Sequence, residues 1–377
     1  MTLDREALFR PFRGGGLSLS GRVALSPMGR AMSPDGLPPV ADYAAYYRRR
    51  VEAGVGLILT EATAVMHPAA AFADSTPHIG GPAEAAWTEI VAAVHRAGGH
   101  IAAQLWHAGT HRLPGFGDAP AMGPSGLFLP FQSSPEEPVD DPMPVYAEMT
   151  EDDIAAVVES FADGVATARR AGFDAAELHA GHGFLLDQFL WARTNRRTDR
   201  YGGSPENRLR FAVEVVRACR ARVGPDYPLL MRLSQFKIAD YGARLADTPE
   251  AWARIVGPLA DAGVDIFDCS QRRFWEPAFD GSALNLAGWT RKITGRPVIT
   301  CGSVGMARQW VEMDPSAGVD VNLGNLPRLC AMLDAGEVDL VCVGRSLLAD
   351  PEWASKVREG RDAEVVPYTP DALMTLQ

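Results

Sequence analysis

The chain has 377 residues, enough for one large barrel or two ordinary domains, and its 47% hydrophobic and 22% charged content excludes a disordered chain. A formal net charge of -11 argues against nucleic acid or an anionic membrane surface as a general partner, although a local basic pocket can still hold a phosphate. No run of about 18 apolar residues occurs, so no membrane span is expected. The opening Met1-Thr2-Leu3-Asp4-Arg5-Glu6 carries acids where a signal peptide needs an apolar core. The five cysteines, Cys219, Cys269, Cys301, Cys330 and Cys342, form no CxxC pair, and read as small core residues of a cytoplasmic protein.

Eight apolar runs alternate with helical patterns. Strands are expected at 23–27, 56–62, 100–107, 173–179, 228–234, 264–269, 297–301 and 339–344. Most are continuously apolar, as parallel strands covered on both faces should be. Helices are expected at 40–53, 82–97, 151–171, 205–222, 249–262, 286–294, 325–334 and 351–359. Starts are marked by Thr150 with Asp153, Ser204-Pro205 and Asp350-Pro351. Stops are marked by Ala53-Gly54, Ala97-Gly98, Ala171-Gly172, Ala262-Gly263 and Ala335-Gly336. This repeated unit predicts an α/β fold, a (β/α)8 TIM barrel forming one domain over 1–377, with a doubly wound sheet as the alternative.

Two segments stand outside the repeat. Residues 14–21 read as a hairpin closing the barrel bottom; with no strand before it and no helix after, the glycine run is not a nucleotide fingerprint. Residues 108–149, rich in Pro and Gly, read as a lid over an active site, with 135–141 as a solvated acidic tip.

Barrels of this kind work at the C-terminal ends of their strands. Those ends supply Ser26-Pro27-Met28-Gly29, Thr60-Glu61-Ala62, Gln104-Leu105-Trp106-His107, His179 with His182, Arg232-Leu233-Ser234-Gln235, Cys301-Gly302-Ser303 and Gly344-Arg345-Ser346. The last two form a phosphate-site candidate, because glycine backbone approaches an anion closely and Arg345 binds it bidentately. Gln104 and Arg232 lie in apolar surroundings. A buried Arg needs a partner, either a carboxylate or the edge of an electron-rich heterocycle such as the pyrimidine part of a flavin. The histidines have three readings: satisfied polar groups at a strand end, metal ligands, or paired N–H donors to one substrate oxygen. The third is favoured, since two such donors stabilise charge that develops during hydride addition. The loop 195–208 is expected to cover them.

These residues resemble the Old Yellow Enzyme family of FMN-dependent ene-reductases over nearly the whole chain. The resemblance rests on Ser26-Pro27-Met28, the stretch 56–63, 103–109, the histidine stretch 177–190, the Asn195-to-Arg208 loop and Val343-Gly344-Arg345. It implies non-covalent FMN, with Ser26, Pro27, Met28, Ala62, Gln104 and Arg232 at the isoalloxazine and Gly302, Ser303, Gly344 and Arg345 at the phosphate end. It also implies NADPH or NADH as hydride donor, and an α,β-unsaturated carbonyl or nitro compound held by His179 and His182. Self-association is common in the family, and no interface is legible in this sequence.

Two positions depart from the pattern. Phe184 stands where the family usually has the Tyr that protonates the α-carbon, and a phenyl ring has no proton to give. Gly29 stands where Cys or Thr often tunes the flavin potential. Trp106 is expected as a pocket wall, and Phe184 and Gly29 as substrate-side positions. The strand-end stretches 235–241 and 271–277 are either pocket or ordinary packing, and His107 and Lys237 are candidate substitute acids. Three other functions stay open: a flavin isomerase or desaturase of a cyclic enone, a metal-dependent hydrolase using His107, His179 and His182, and a noncatalytic redox sensor.

Overall fold

The computed structural model describes residues 5–113, 119–134, 136–307 and 318–377; residues 1–4 of the opening stretch lie outside them. The chain begins with an antiparallel hairpin, β1 (Phe12–Gly14) and β2 (Leu17–Leu19). The barrel strands are β3 (Val23–Leu25), β4 (Leu57–Leu59) with a short continuation β5 (Thr63–Ala64), and β6 (His100–Trp106). Then, after the small pair β7 (Leu127–Phe128) and β8 (Met143–Pro144), come β9 (Ala175–His182), β10 (Leu229–Lys237), β11 (Ile266–Ser270), β12 (Val298–Cys301) and β13 (Leu340–Val343). β3 pairs with both β4 and β13, and every barrel pairing is parallel, so the ring closes without a free edge. This is the predicted (β/α)8 barrel.

Alternation along the strands sorts the barrel interior into tiers. Lowest, Ala24, Leu57, Ala102, Leu230, Ile266 and Ile299 pack with Phe12, Leu17 and Leu19 of the hairpin in one apolar cluster. The hairpin therefore plugs the bottom, with its strands at 12–19, two residues earlier than the expected 14–21. Outward-facing neighbours such as Ile58, Ile101, Met231 and Phe267 join the larger core beneath the helices. Two residues further along, the inward positions become polar and buried: Gln104, Glu177, Arg232 and Asp268. The next step presents Trp106, His179, Ser234 and Ser270.

The outer layer comprises α1 (Val40–Glu52), α2 (Ala83–Arg96), α3 (Glu151–Arg170), α4 (Leu185–Leu190), α5 (Pro205–Val223), α6 (Pro249–Ala262), α7 (Leu286–Thr294), α8 (Leu326–Asp334), α9 (Arg345–Ala349) and α10 (Trp353–Glu359). Thr150 and Asp153 form the expected capping box, and Ser204 and Thr248 accept backbone N–H bonds at their helix starts. All five Ala-Gly stops place the glycine at positive φ, between 68° and 122°. Among the described residues, no helix is long and apolar enough to cross a membrane.

The strand expected at 173–179 is longer: β9 runs on to His182, and α4 begins three residues later. Arg345, expected at a strand end, opens α9 directly after Gly344.

Candidate active site

A cavity of about 750 Å³ opens at the C-terminal ends of the strands, within the roughly 300–1,000 Å³ common for small-molecule sites. The residues expected to hold cofactor and substrate all border it: Ser26, Pro27, Met28, Gly29, Ala62, Gln104, Trp106, His179, His182, Phe184, Arg232, Gly302, Ser303, Gly344 and Arg345. The strand-end aromatic and cationic stretches add Phe236, Tyr241 and Arg272, so these belong to the pocket rather than to ordinary loop packing.

The floor is a buried polar network. Arg232 Nη1 donates to Asp268 Oδ2 at 2.6 Å, and its Nη2 reaches Ser270 Oγ at 3.4 Å and Cys301 Sγ at 3.5 Å. The buried arginine thus has a carboxylate partner while still bordering the cavity. Gln104 Nε2 donates to Glu177 Oε1 at 2.6 Å, which leaves its amide oxygen for a ligand N–H. Burial and the neighbouring Asp268 push the Glu177 carboxyl up to about 8. Burial opposes the Arg232 charge most strongly, but Asp268 together with the other acidic groups around it outweighs burial and holds the guanidinium above its ordinary range. The sequence reading assigned no role to Glu177 or Asp268.

Above the floor, His179 Nε2 and His182 Nδ1 lie 3.4 Å apart. The Gly181 N–H donates to His179 Nδ1 at 3.3 Å, which leaves the proton of a neutral ring on Nε2. His182 Nε2 is 2.9 Å from Ser270 Oγ. If the Ser270 hydroxyl donates there, the His182 proton sits on Nδ1, and both facing nitrogens become donors to one oxygen. The backbone helps: His182 has φ 63°, rare for a residue with a Cβ, and its N–H donates to Ser234 Oγ at 2.8 Å. Burial, followed by the Arg232 charge, lowers the His179 pKa well below its ordinary value. Burial, His179 and nearby cations do the same to His182. Both rings are neutral at pH 7.

The upper wall is aromatic. Phe184 packs edge-on to Trp106 at 4.8 Å and to His179 at 5.2 Å between centroids. Phe72 stacks on Trp106 at 6.2 Å, and Phe131 stacks on Phe72 from behind. Of the described residues in the 108–149 insertion, Leu113 borders the cavity, whereas Phe131 and His111 support its wall. Residues 114–118 and 135 of the expected lid and acidic tip lie outside the described residues; Glu136, Glu137, Asp140 and Asp141 are exposed, as a solvated tip should be.

At the strand seven and eight ends, Gly302 has φ 141° and a Cβ there would lie 2.4 Å from the Gln271 carbonyl oxygen, so only glycine fits. Ser303 follows at φ 54° and its hydroxyl donates to the Arg272 carbonyl. Gly29 is different: its added Cβ would meet nothing within 4 Å. Glu61, also at the cavity, accepts N–H bonds from Arg30 and Ala31 and a bond from the Tyr43 hydroxyl, fixing the loop after β3.

Three candidate residues or segments do not reach the cavity. His107 is buried against His67, with Nε2 3.3 Å from His67 Nδ1, so His107, His179 and His182 form no common ligand set. Lys237 is fully buried and pairs with Asp187 at 2.7 Å, which removes it as a substitute acid. The Arg-rich loop does not cover the histidines; Arg197 instead donates to the Pro124 and Met149 carbonyls and clamps the base of the insertion.

The walls and floor fit FMN. Pro27, Met28, Ala62 and Leu348 offer flat apolar contact, Gln104 and Arg232 offer polar groups for a pyrimidine edge, and Gly302, Ser303 and Arg345 offer anion contacts. Residues 7–364 match the NADH:flavin oxidoreductase / NADH oxidase family. The chain is 32% identical over 374 residues to an NADH oxidase of Thermoanaerobacter brockii, covering 95% of this chain and 52% of that protein. It thus spans about half the length of that relative. It is 33% identical to an NADPH dehydrogenase of Geobacillus thermodenitrificans, covering 92% of each. A solved structure of morphinone reductase superposes with TM-score 0.76 at 31% identity, over 99% of this chain and 94% of that one. The chain therefore belongs to the NADH:flavin oxidoreductase / NADH oxidase family, the FMN-dependent, NAD(P)H-using oxidoreductases of Old Yellow Enzyme type.

Proposed function

We propose that the chain, with FMN bound, passes hydride from NADH or NADPH to the β-carbon of an α,β-unsaturated carbonyl or nitro compound, in a ping-pong cycle in which nicotinamide and substrate use the same space in turn. One observation carries this reading. The facing nitrogens of His179 and His182, 3.4 Å apart, stand above a floor that holds Gln104 and Arg232.

In this reading His179 Nε2 and His182 Nδ1 donate to the substrate's activating oxygen and stabilise the charge that builds on it. Because both rings are neutral, they polarise that oxygen without surrendering a proton. Ser270 sets the His182 tautomer. Trp106, Phe184 and Phe72 exclude water and confine the substrate to one plane. Pro27, Met28 and Ala62 hold the cofactor ring, and Gly302, Ser303, Gly344 and Arg345 hold its phosphate end.

Phe184 cannot supply the α-carbon proton, so solvent supplies it. Hydride transfer should then show little dependence on solvent deuteration; a large solvent isotope effect on that step would contradict it. The same phenyl ring favours a second reading, isomerisation or desaturation of a cyclic enone, in which no external acid is needed at that carbon.

Initial-velocity kinetics test the first reading. Varying NADH or NADPH against an enone should give parallel double-reciprocal lines, and His182→Ala should slow the enone half-reaction far more than the nicotinamide one. Intersecting lines would contradict a shared, alternately used site, and equal losses in both halves would contradict a role for His182 specific to the substrate oxygen.

A further inference from the structure

Two carboxyl groups share the floor with a single guanidinium. Asp268 Oδ2 faces Arg232 Nη1 at 2.6 Å, and Glu177 Oε1 accepts from Gln104. That leaves Glu177 Oε2 and Asp268 Oδ1, both fully buried, without a bond from any other described group. The two carboxyl groups lie within hydrogen-bonding reach of each other. Two ionised carboxylates so placed would repel, and the floor would carry a net negative charge in a water-free layer. One proton removes both problems. A hydrogen on Glu177 Oε2 satisfies Asp268 Oδ1, and leaves Asp268 as the single carboxylate balancing Arg232.

We propose that Glu177 and Asp268 hold one proton between them on the cavity floor and that this proton, through Arg232, sets the charge that a bound flavin meets. Glu177 is then a positioning residue: it borders no part of the cavity, and it acts by deciding how much of the Arg232 charge is compensated. The effect on flavin rests on the FMN reading above, whereas the shared proton does not.

The remaining groups facing the pair cannot replace it. Gln104 on β6 is neutral and permanently a hydrogen-bond partner. Cys342 on β13 lies with Sγ 3.9 Å from Asp268 Oδ2, and Cys301 on β12 approaches Arg232. Burial pushes both thiols up, so they stay protonated. His179 on β9 is neutral. Arg232 on β10 keeps its charge. Among the described residues, the pair is the one group of this floor poised to titrate near neutrality, with Glu177 raised to about 8.

The sign follows. Glu177 has an ordinary value of 4.5, so between about 4.5 and about 8 the folded chain binds one proton more than the unfolded chain. This contribution to stability is complete at low pH and is lost as pH rises through that window. Glu177→Gln cannot lose it. The folding constant of the variant, relative to wild type, should therefore rise roughly tenfold per pH unit across the window and level off above it.

The deciding experiment is an infrared pH titration of the holoprotein in water and in D2O. Wild type should show a protonated carboxylic carbonyl band that shifts in D2O and disappears with a midpoint near pH 8. Glu177→Gln and Asp268→Asn should each abolish it at neutral pH, since either change leaves one acid paired with Arg232. The flavin midpoint potential should bend with pH at the same midpoint in wild type and not in Glu177→Gln. No band in wild type, or a band untouched by both substitutions, overturns the shared proton. A titrating band with identical potential curves in wild type and Glu177→Gln overturns its link to the flavin. A protein that binds no FMN but keeps the band sinks the cofactor reading and leaves the proton pair standing.

Discussion

Ser270 shows how much of this site hangs on one hydroxyl. It lies 2.9 Å from His182 Nε2 and 3.4 Å from Arg232 Nη2, so it links the histidine pair to the floor. Ser270→Ala frees the His182 tautomer and should weaken binding of a carbonyl ligand roughly tenfold, the worth of about one hydrogen bond, with folding stability little changed. Ligand titration followed in the flavin spectrum checks this; unchanged affinity would mean that Ser270 does not orient the ring. Gly29 permits the opposite kind of experiment. Its Cβ position is open, so Gly29→Thr should fold like wild type and raise the flavin midpoint potential. An identical potential would show that a hydroxyl at this position does not tune the flavin. At this scale the sequence was readable for most strand-end residues, because barrel geometry brings strand ends together, but not for His107 and Lys237, whose side chains turn to His67 and Asp187. Glu177 and Asp268 were not, since their meeting depends on β9 and β11 facing each other from either side of β10, which no local pattern encodes.

The element that positions the chemistry is the junction of β9, α4 and β10. Asp187, in the first turn of α4, accepts from the Gly183 N–H at 2.7 Å and from Lys237 Nζ at 2.7 Å, while Lys237 also donates to the Ser234 carbonyl. Burial lowers the Lys237 pKa and raises that of Asp187, and each ion opposes the shift of the other. Lys237→Met strands a buried carboxylate and should cost about 3–5 kcal/mol, read as a lower urea midpoint, and should loosen His182 with it. A loss well under 1 kcal/mol would mean that the junction is held by packing alone. Helices with caps and Ala-Gly stops were legible because each end carries its own local signal. α4 was not: six residues, Leu185–Leu190, start from Phe184 without a side-chain cap and make sense only once Asp187 meets Lys237. The Arg-rich loop follows the histidine stretch in sequence and so was expected over it, whereas Arg197 is buried against backbone carbonyls of the insertion.

Across the whole molecule, the barrel interior grades from an apolar plug, through a charged but compensated layer, to a cavity with neutral donors. Period-two alternation of strands writes this gradient into sequence, as in Ala102, Gln104 and Trp106 along one face of β6. That is why the fold and the rim of the site could be read early, while the pairing inside the middle layer could not. The gradient suits a reaction that moves hydride and charge above a buried, charge-compensated floor, and in the proposed reaction an enone bound beneath His179 and His182 accepts hydride without acid help from Phe184. The most direct measurement is anaerobic: photoreduce the purified protein, add 2-cyclohexenone, and follow the flavin absorbance. Rapid return of the yellow band is the predicted result. A flavin that stays reduced would contradict ene reduction and move isomerisation or desaturation ahead of it.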